Sequence, residues 1–459
     1  MAFVDSLIRH SDADVVMVDR RHRSGGHWHD AYPFVRLHQA AACYGVESTN
    51  LGKDRIDETG DNAGMYELAS APEICSYFSE VLNRVLLPSG QVRFLGMTEF
   101  HEDRPGEYRL TSLLTGQETT VRVRRRLVDA AYMEPDIPSR RKPAFEVDPD
   151  VTLVAPNDLV NLSSAPTSFT VIGAGKTAMD ACTWLLENGV DPNSISWVRS
   201  RDAWYVDRSW TQPLDLVQSR LRYQSTWAQA AAESSSGREL AYRLEEAGLF
   251  LRLDRTVEPT SFRGATISKP ELKRLASIER VSRTGRVQRL HSHGIDFHGG
   301  QETRPLGEIY VDCTATGLRT IEPKPVFEPG RISMQYVTPG YACLSAATLG
   351  VVEATRDDDH EKNYLSLPVV YTGHVDDLLS FTSANLNSAA RRDEHADLAA
   401  WSRNTRVNPA RGIKERSHWP DVIAEVARLE QWRGSAIKNL EGHVGPPESA
   451  LVDAMQRLS

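Results

Sequence analysis

The chain has no excess of basic residues, no paired-cysteine motif and no long apolar run. Its 459 residues carry 53 Lys and Arg against 62 Asp and Glu, a formal net charge of −9. That balance excludes the basic stripe of a nucleic-acid surface. One short basic run, Arg122-Val-Arg124-Arg125-Arg126, passes into Leu127 and Val128 and reads as the solvated face of a strand. No stretch approaches the ~20 apolar residues of a transmembrane helix, so no membrane span is expected. Asp5, Arg9, His10, Asp12 and Asp14 interrupt the first residues, and no secretory signal is expected there. The five cysteines, Cys43, Cys75, Cys182, Cys313 and Cys343, are scattered and include no C-x-x-C pair. A dithiol redox centre and a zinc ligand set are thereby excluded, and the thiols read as buried side chains in a reducing cytoplasm.

What the chain does have is a glycine motif in the right setting. Phe169-Thr-Val-Ile is a short β-rich run, Gly173-Ala174-Gly175-Lys176-Thr177-Ala178 follows, and an apolar-periodic segment then ends at Gly189. With the strand Ser194–Val198 behind it, this is G-x-G-x-x-A inside strand, turn, helix and strand. The first glycine permits the tight turn, the second admits a pyrophosphate to the helix N-terminus, and Ala178 lets helix and sheet approach. A P-loop would need glycine at position 170, which is threonine. At the end of the second strand an NAD site usually carries an acid. Here stand Arg199, Ser200 and Arg201, which suit a 2′-phosphate because guanidinium forks match it. NADPH is therefore expected over NADH.

The N-terminal segment repeats that logic. Val15-Val-Met-Val ends in Asp19, the position of a ribose acid, and Arg20 to Arg23, Ser24, Gly25, Gly26, His27 and Trp28 follow. Asp19 is assigned to the adenosine ribose of a second dinucleotide. Helical periodicity with an early Pro72 predicts a helix from residue 72, and Gln91–Leu95, Tyr108–Leu110 and Thr119–Val123 read as a β-meander. Residues 135–150 read as a linker, 214–250 as helices broken at Ser234–Gly237, 279–312 as strands, and the last 60 or so as a polar surface wrap.

The stretch VVMVDRRHRSGGHWHDAYPFVRLHQ resembles the Asp/Glu…GG-x-W segment of FAD-dependent, NADPH-using flavin-containing and Baeyer–Villiger monooxygenases. The resemblance extends to the glycine motif at 173–178, to Val128-Asp-Ala-Ala-Tyr132 and to Asp312-Cys-Thr-Ala315-Thr316-Gly317, which resemble the outgoing and returning turns between FAD and NADPH domains. It implies an α/β fold of two Rossmann-like dinucleotide-binding domains. The FAD domain, of three-layer ββα type, would comprise residues 1–155 and 308–459, with an NADPH domain inserted at 156–307. By the same resemblance Asp19, Arg20, Gly25, Gly26, His27 and Trp28 would contact FAD, with His38 and Gln39 near its ring or ribityl chain. Gly173 to Ala178, Arg199 and Arg201 would hold NADPH, and Ala315, Thr316 and Gly317 would line the return turn. The small-residue run Pro339–Gly350 reads as a helix, packed tightly or close to the flavin.

The implied activity is transfer of one oxygen atom from molecular oxygen, through a C4a-hydroperoxyflavin, to a small organic substrate. The family's F-x-G-x-x-x-H fingerprint has no match in residues 145–169, and Leu318 stands where a tyrosine is common. A flavin-dependent NADPH reductase or oxidase, or a flavin-free NADP(H)-binding protein, is the alternative. Catalytic residues, substrate and oligomeric state stay open. In such enzymes a strand and a first glycine loop precede the helix, and the nineteen residues Met1–Asp19 match the span from just past that loop to the ribose acid. The natural product is accordingly expected to start upstream, with the first strand and first G-x-G-x-x-G lying before Met1.

Overall fold

A computed structural model describes residues 1–104, 106–315, 317, 321–370 and 372–446. The first module opens with helix α1 (Ala2–His10) and strand β1 (Val15–Val18). Helix α2 (Ala71–Val81) starts where Ser70 and Glu73 form a reciprocal capping box with Pro72 in the first turn. Strand β2 (Val92–Leu95) then pairs parallel with β1, Val15 opposite Val92 and Val18 opposite Leu95. This corrects the sequence reading, in which 91–95 opened the meander. The meander consists of β3 (Thr98–Arg104), β4 (Glu107–Ser112) and β5 (Glu118–Val121). Alternation alone could not separate these roles, because β2 and the meander strands share a two-residue period. Strand β6 (Leu127–Asp129) closes the outgoing segment.

The second module is built on a five-stranded, all-parallel sheet. Its strands, introduced with those around it, are β7 (Glu146–Val147), β8 (Thr152–Val154) and β9 (Phe169–Ile172). Helix α3 (Lys176–Glu187) leads to β10 (Ile195–Val198) and β11 (Ala203–Asp207). Helices α4 (Val217–Ala232) and α5 (Gly237–Glu246), with the break where it was expected, precede β12 (Phe250–Leu251), β13 (Ser261–Ile267) and α6 (Lys269–Leu275). Then come β14 (Arg280–Ser282), β15 (Val287–His291), β16 (Gly294–Phe297), β17 (Gly300–Thr303) and β18 (Ile309–Asp312).

The parallel sheet has the order β14-β10-β9-β18-β8, a second sheet runs β17-β16-β15-β7, and a third β12-β11-β13. Every residue of β9 and β10 is buried, as expected of parallel strands covered on both faces. Strands β7, β8 and β18 lie in segments assigned from sequence to the flanking domain. Their pairing carries the sheets of this module from Glu146 to Asp312.

After the return, β19 (Phe327–Glu328) and β20 (Arg331–Ser333) form a hairpin, and β20 pairs parallel with β6. Helix α7 (Ala342–Thr355) lies against α1. The contact depends on Gly350, where a Cβ would stand 2.5 Å from the Phe3 carbonyl oxygen. The C-terminal helix Pro420–Val444 does more than wrap the surface. It packs along α4 and buries Ala436 and Leu440 in the aromatic core around Trp227 and Phe250. No helix among the described residues is long and apolar enough to cross a membrane.

Candidate functional site

The glycine loop between β9 and α3 is held by backbone contacts from three strands. Gly173 sits at φ 146°, and a Cβ there would stand 2.7 Å from the Cys313 carbonyl oxygen at the end of β18. Its N–H donates to Val198 O at 3.0 Å, and its carbonyl accepts the indole N–H of Trp197 at 2.8 Å. Gly175 is the opposite case: it caps α3 with φ −100°, and a Cβ there would meet nothing within 4 Å. The loop is thus closed behind the first glycine and open in front of the second, where the amide end of α3 lies. Ala174 is half-buried beside them, and Ala178 is fully buried in the core of α3, β9 and β10.

Lys176 and Arg199 occupy positions that the sequence reading did not foresee. The Lys176 ammonium is engaged by Asp180, one turn along α3, and by Glu271 at 2.7 Å. Glu271 also accepts from Arg208 at 2.7 Å, and its place in the capping box of α6 points it inward. Burial pushes the Glu271 carboxyl up, but Lys176 and Arg208 outweigh it and hold the group at about 2. Lys176 is therefore bound to two carboxylates rather than presented to a phosphate. Arg199, 4% exposed, pairs with Asp202 at 3.3 Å and lies over the Trp197 ring at 4.9 Å. Arg201 is exposed. Its guanidinium is lowered by partial burial and by the like charge of Arg286, and Arg263 is lowered by burial and by Arg201. Three cations thus converge beyond β10, two of them distant in sequence from the motif.

The first module contributes a loop that reaches the same place. Asp19 ends β1 with its carboxylate accepting the Arg21 N–H at 2.8 Å, while the Arg21 side chain pairs with Asp30 at 2.7 Å and Arg20 reaches Glu99 at 3.5 Å. Gly25 (φ 125°) and Gly26 (φ 56°) then turn the chain into a short helix, Gly26–Asp30. Burial and the Arg21 charge lower the His27 ring to about 4. Trp28 donates its indole N–H to the Tyr44 hydroxyl at 2.8 Å, which makes it a packing residue of this loop. Tyr32 donates to Asp180 at 2.6 Å, and Phe34 stacks on Trp184 of α3 at 5.0 Å.

The loop then brings His38 beside the cluster on α3 and α6. Burial and the charges of Lys176 and Arg208 lower its ring to about 3, against the opposing pull of Glu271. Its carbonyl accepts the Thr266 hydroxyl at 2.5 Å, and Gln39 follows it half-buried. The hydroxyl of Thr177 acts on Tyr32. The fold thus brings His38 to Lys176 and Thr177, which lie well over a hundred positions from it in sequence. It adds Tyr32, Asp180, Arg208 and Glu271, for which no motif gave a signal. In the return turn Asp312 accepts the Thr314 N–H at 2.9 Å and Ala315 is half-buried. Gly317 has open space around it, and Thr316 lies outside the described residues.

No family model matches the chain. Among curated proteins, "Uncharacterized protein Rv2000" of Mycobacterium tuberculosis H37Rv is 40% identical over 436 residues, 94% of this chain and 80% of that protein. "Uncharacterized protein Mb2023" of Mycobacterium bovis shows the same identity and coverage. Among solved structures, the open form of cyclohexanone monooxygenase is 14% identical, covering 86% of this chain and 95% of that one at a TM-score of 0.47. The NADP⁺-bound cyclohexanone monooxygenase of Rhodococcus sp. Phi1 is 14% identical, covering 77% of this chain and 80% of that one at a TM-score of 0.43.

Proposed function

The chain belongs to one family with these mycobacterial proteins, and from that premise we propose that it is an FAD-dependent, NADPH-using oxidoreductase. The observation that carries the reading is the β9–α3 loop. It is closed against Cys313 behind Gly173 and open at Gly175, and it faces a loop from the other module that bears two positive-φ glycines and His38. The amides around Gly175 would hold the NADPH pyrophosphate. Arg201, with Arg263 and Arg286 beside it, would receive the 2′-phosphate, whereas Arg199 would act through Asp202 as a support.

Asp19 would accept from the FAD ribose, and the backbone from Gly25 to Trp28 would pass along the cofactor with Gly26 open to it. His38 and Gln39 would lie near the ring, His38 as a neutral hydrogen-bonding group. When bound, FAD supplies two-electron chemistry and reactivity toward oxygen; the protein supplies positioning and exclusion of water. NADPH would occupy the part built on the five-stranded sheet, and FAD the parts before and after it. The reaction is monooxygenation of a small organic substrate, with molecular oxygen as co-substrate, in the cytoplasm.

A second reading, an NADPH oxidase or reductase, is favoured by the run 145–169, where no Gly and His at the fingerprint spacing occur. Purified chain is mixed with FAD and NADPH, and NADPH oxidised is compared with hydrogen peroxide released. Peroxide well below NADPH in the presence of an oxidisable substrate supports oxygen insertion; one peroxide per NADPH under all conditions assigns the oxidase. A chain that takes up no FAD, showing no flavin absorbance after addition, refutes both.

A further inference from the structure

Four arginines are buried among the described residues: Arg199, Arg208, Arg220 and Arg406. Three of them are compensated. Arg199 faces Asp202, Arg208 faces Glu271, and Arg406 donates to the carbonyls of Ala42, Tyr44 and Val46 and to Asn50. Arg220, on α4 and 8% exposed, forms no ion pair among the described residues, and its Nε–H has no acceptor. Its guanidinium lies over two aromatic rings, Tyr223 at 4.6 Å and Tyr341 at 5.3 Å. Cation–π contact offsets only part of the cost of taking a charge out of water.

The surroundings do not supply the missing anion. Tyr341 is the residue that immediately precedes α7, and no side chain caps that helix, so its first amides have no side-chain acceptor. The neighbouring Cys43 thiol feels Arg220, Arg406 and Arg411 together, yet burial keeps it protonated by pushing it up to about 12. The carboxylate nearby, Asp54, is taken by Arg411 at 3.2 Å. The Tyr223 hydroxyl accepts a hydrogen bond from the guanidinium, whose Nε–H is left without an acceptor, and an N–H edge of a guanidinium matches a planar carboxylate.

We propose that Arg220 and the amide end of α7 form a binding site for the carboxylate of a small organic ligand, so that the molecule this protein acts on or responds to is an organic acid. The site does not depend on the flavin reading: it needs neither FAD nor NADPH, and it is tested on binding rather than turnover. Benzoate, with benzamide as the neutral control, is titrated against the full chain with and without FAD, and thermal midpoint and affinity are recorded.

Benzoate is expected to raise the midpoint of the wild-type chain and benzamide to leave it unchanged. Arg220→Met exchanges an uncompensated charge for an apolar side chain of similar length. It is expected to raise the midpoint of the unliganded chain and to weaken benzoate about tenfold or more. Arg220→Lys, which keeps the charge without the fork, should bind with intermediate affinity and serves if the methionine variant does not fold. Equal benzoate affinity in wild type and Arg220→Met, or no response of the wild type, overturns the proposal. Loss of the benzoate response on adding FAD also overturns it, since the site would then belong to the cofactor.

Discussion

Two glycines two positions apart in the same loop should respond to alanine in opposite ways. At Gly173 a methyl group would enter the Cys313 backbone at 2.7 Å from a φ of 146°. Gly173→Ala is expected to cost about 1–3 kcal/mol of stability, read as a lower thermal midpoint, and to weaken NADPH as well. At Gly175 the space is open and φ is ordinary, so Gly175→Ala should leave the midpoint unchanged while weakening NADPH by obstructing approach to the α3 amides. Equal effects of the two variants on stability would refute the division of roles. Lys176 tests the buried cluster. Lys176→Met strands Asp180 and Glu271 against one another and should cost about 3–5 kcal/mol, with the residual NADPH affinity of the folded fraction little changed. Arg201→Ala, by contrast, should spare stability and reduce the preference for NADPH over NADH by about tenfold or more, as measured by the ratio of their dissociation constants.

At the scale of elements, the contact between α3, α6 and the loop 32–38 is electrostatic at its centre and aromatic at its edge. Its pH dependence follows from two groups. The ring of His38, held at about 3 by burial and by Lys176 and Arg208, stays neutral in the folded chain, whereas an unfolded histidine takes up a proton near 6.5. The stability linked to it is complete above pH 6.5 and is lost progressively as pH falls toward 3. Glu271, held at about 2 against an ordinary 4.5, adds stability that is present above 4.5 and lost as pH falls toward 2. The thermal midpoint should therefore begin to fall below pH 6.5 and fall faster below 4.5. His38→Gln should reduce the slope between 6.5 and 4.5, where His27, lowered to about 4, supplies the remainder; an unaltered slope there would show that the His38 ring does not carry the charge change. Tyr32→Phe, which removes one hydrogen bond to Asp180, should cost about 1 kcal/mol.

For the whole molecule, ligand linkage gives the simplest test of two dinucleotide sites. FAD and NADPH at about 100 times their dissociation constants should each stabilise by about 2.7 kcal/mol, with the two increments adding when both are present. An NADPH shift without an FAD shift would retain the second module and discard the first as a flavin site. Legibility in the sequence was uneven at this scale. The β9–α3–β10 unit, the helix from residue 72, the break between α4 and α5 and the strands after 279 were all readable, because each rests on local periodicity and turn chemistry. The parallel pairing of β2 with β1 and the incorporation of β8 and β18 into the sheet of β9 were not, because pairing partners are chosen across sequence distance.

The residues at the site divide along the same line. Sequence by itself determined that the chain carries a strand–glycine loop–helix unit, an acid at the end of β1 and a Gly-Gly turn after it, since those features express backbone geometry within a few residues. Tertiary structure alone decided which charges are free. Lys176 and Arg199 read as ligands of phosphate until Glu271 and Asp202 were brought beside them, and Arg220 read as one more helical arginine until it was found buried without a carboxylate. Charge type is written in the sequence, but compensation is a property of distance in space, and a buried cation acquires or lacks its partner only when the chain has folded.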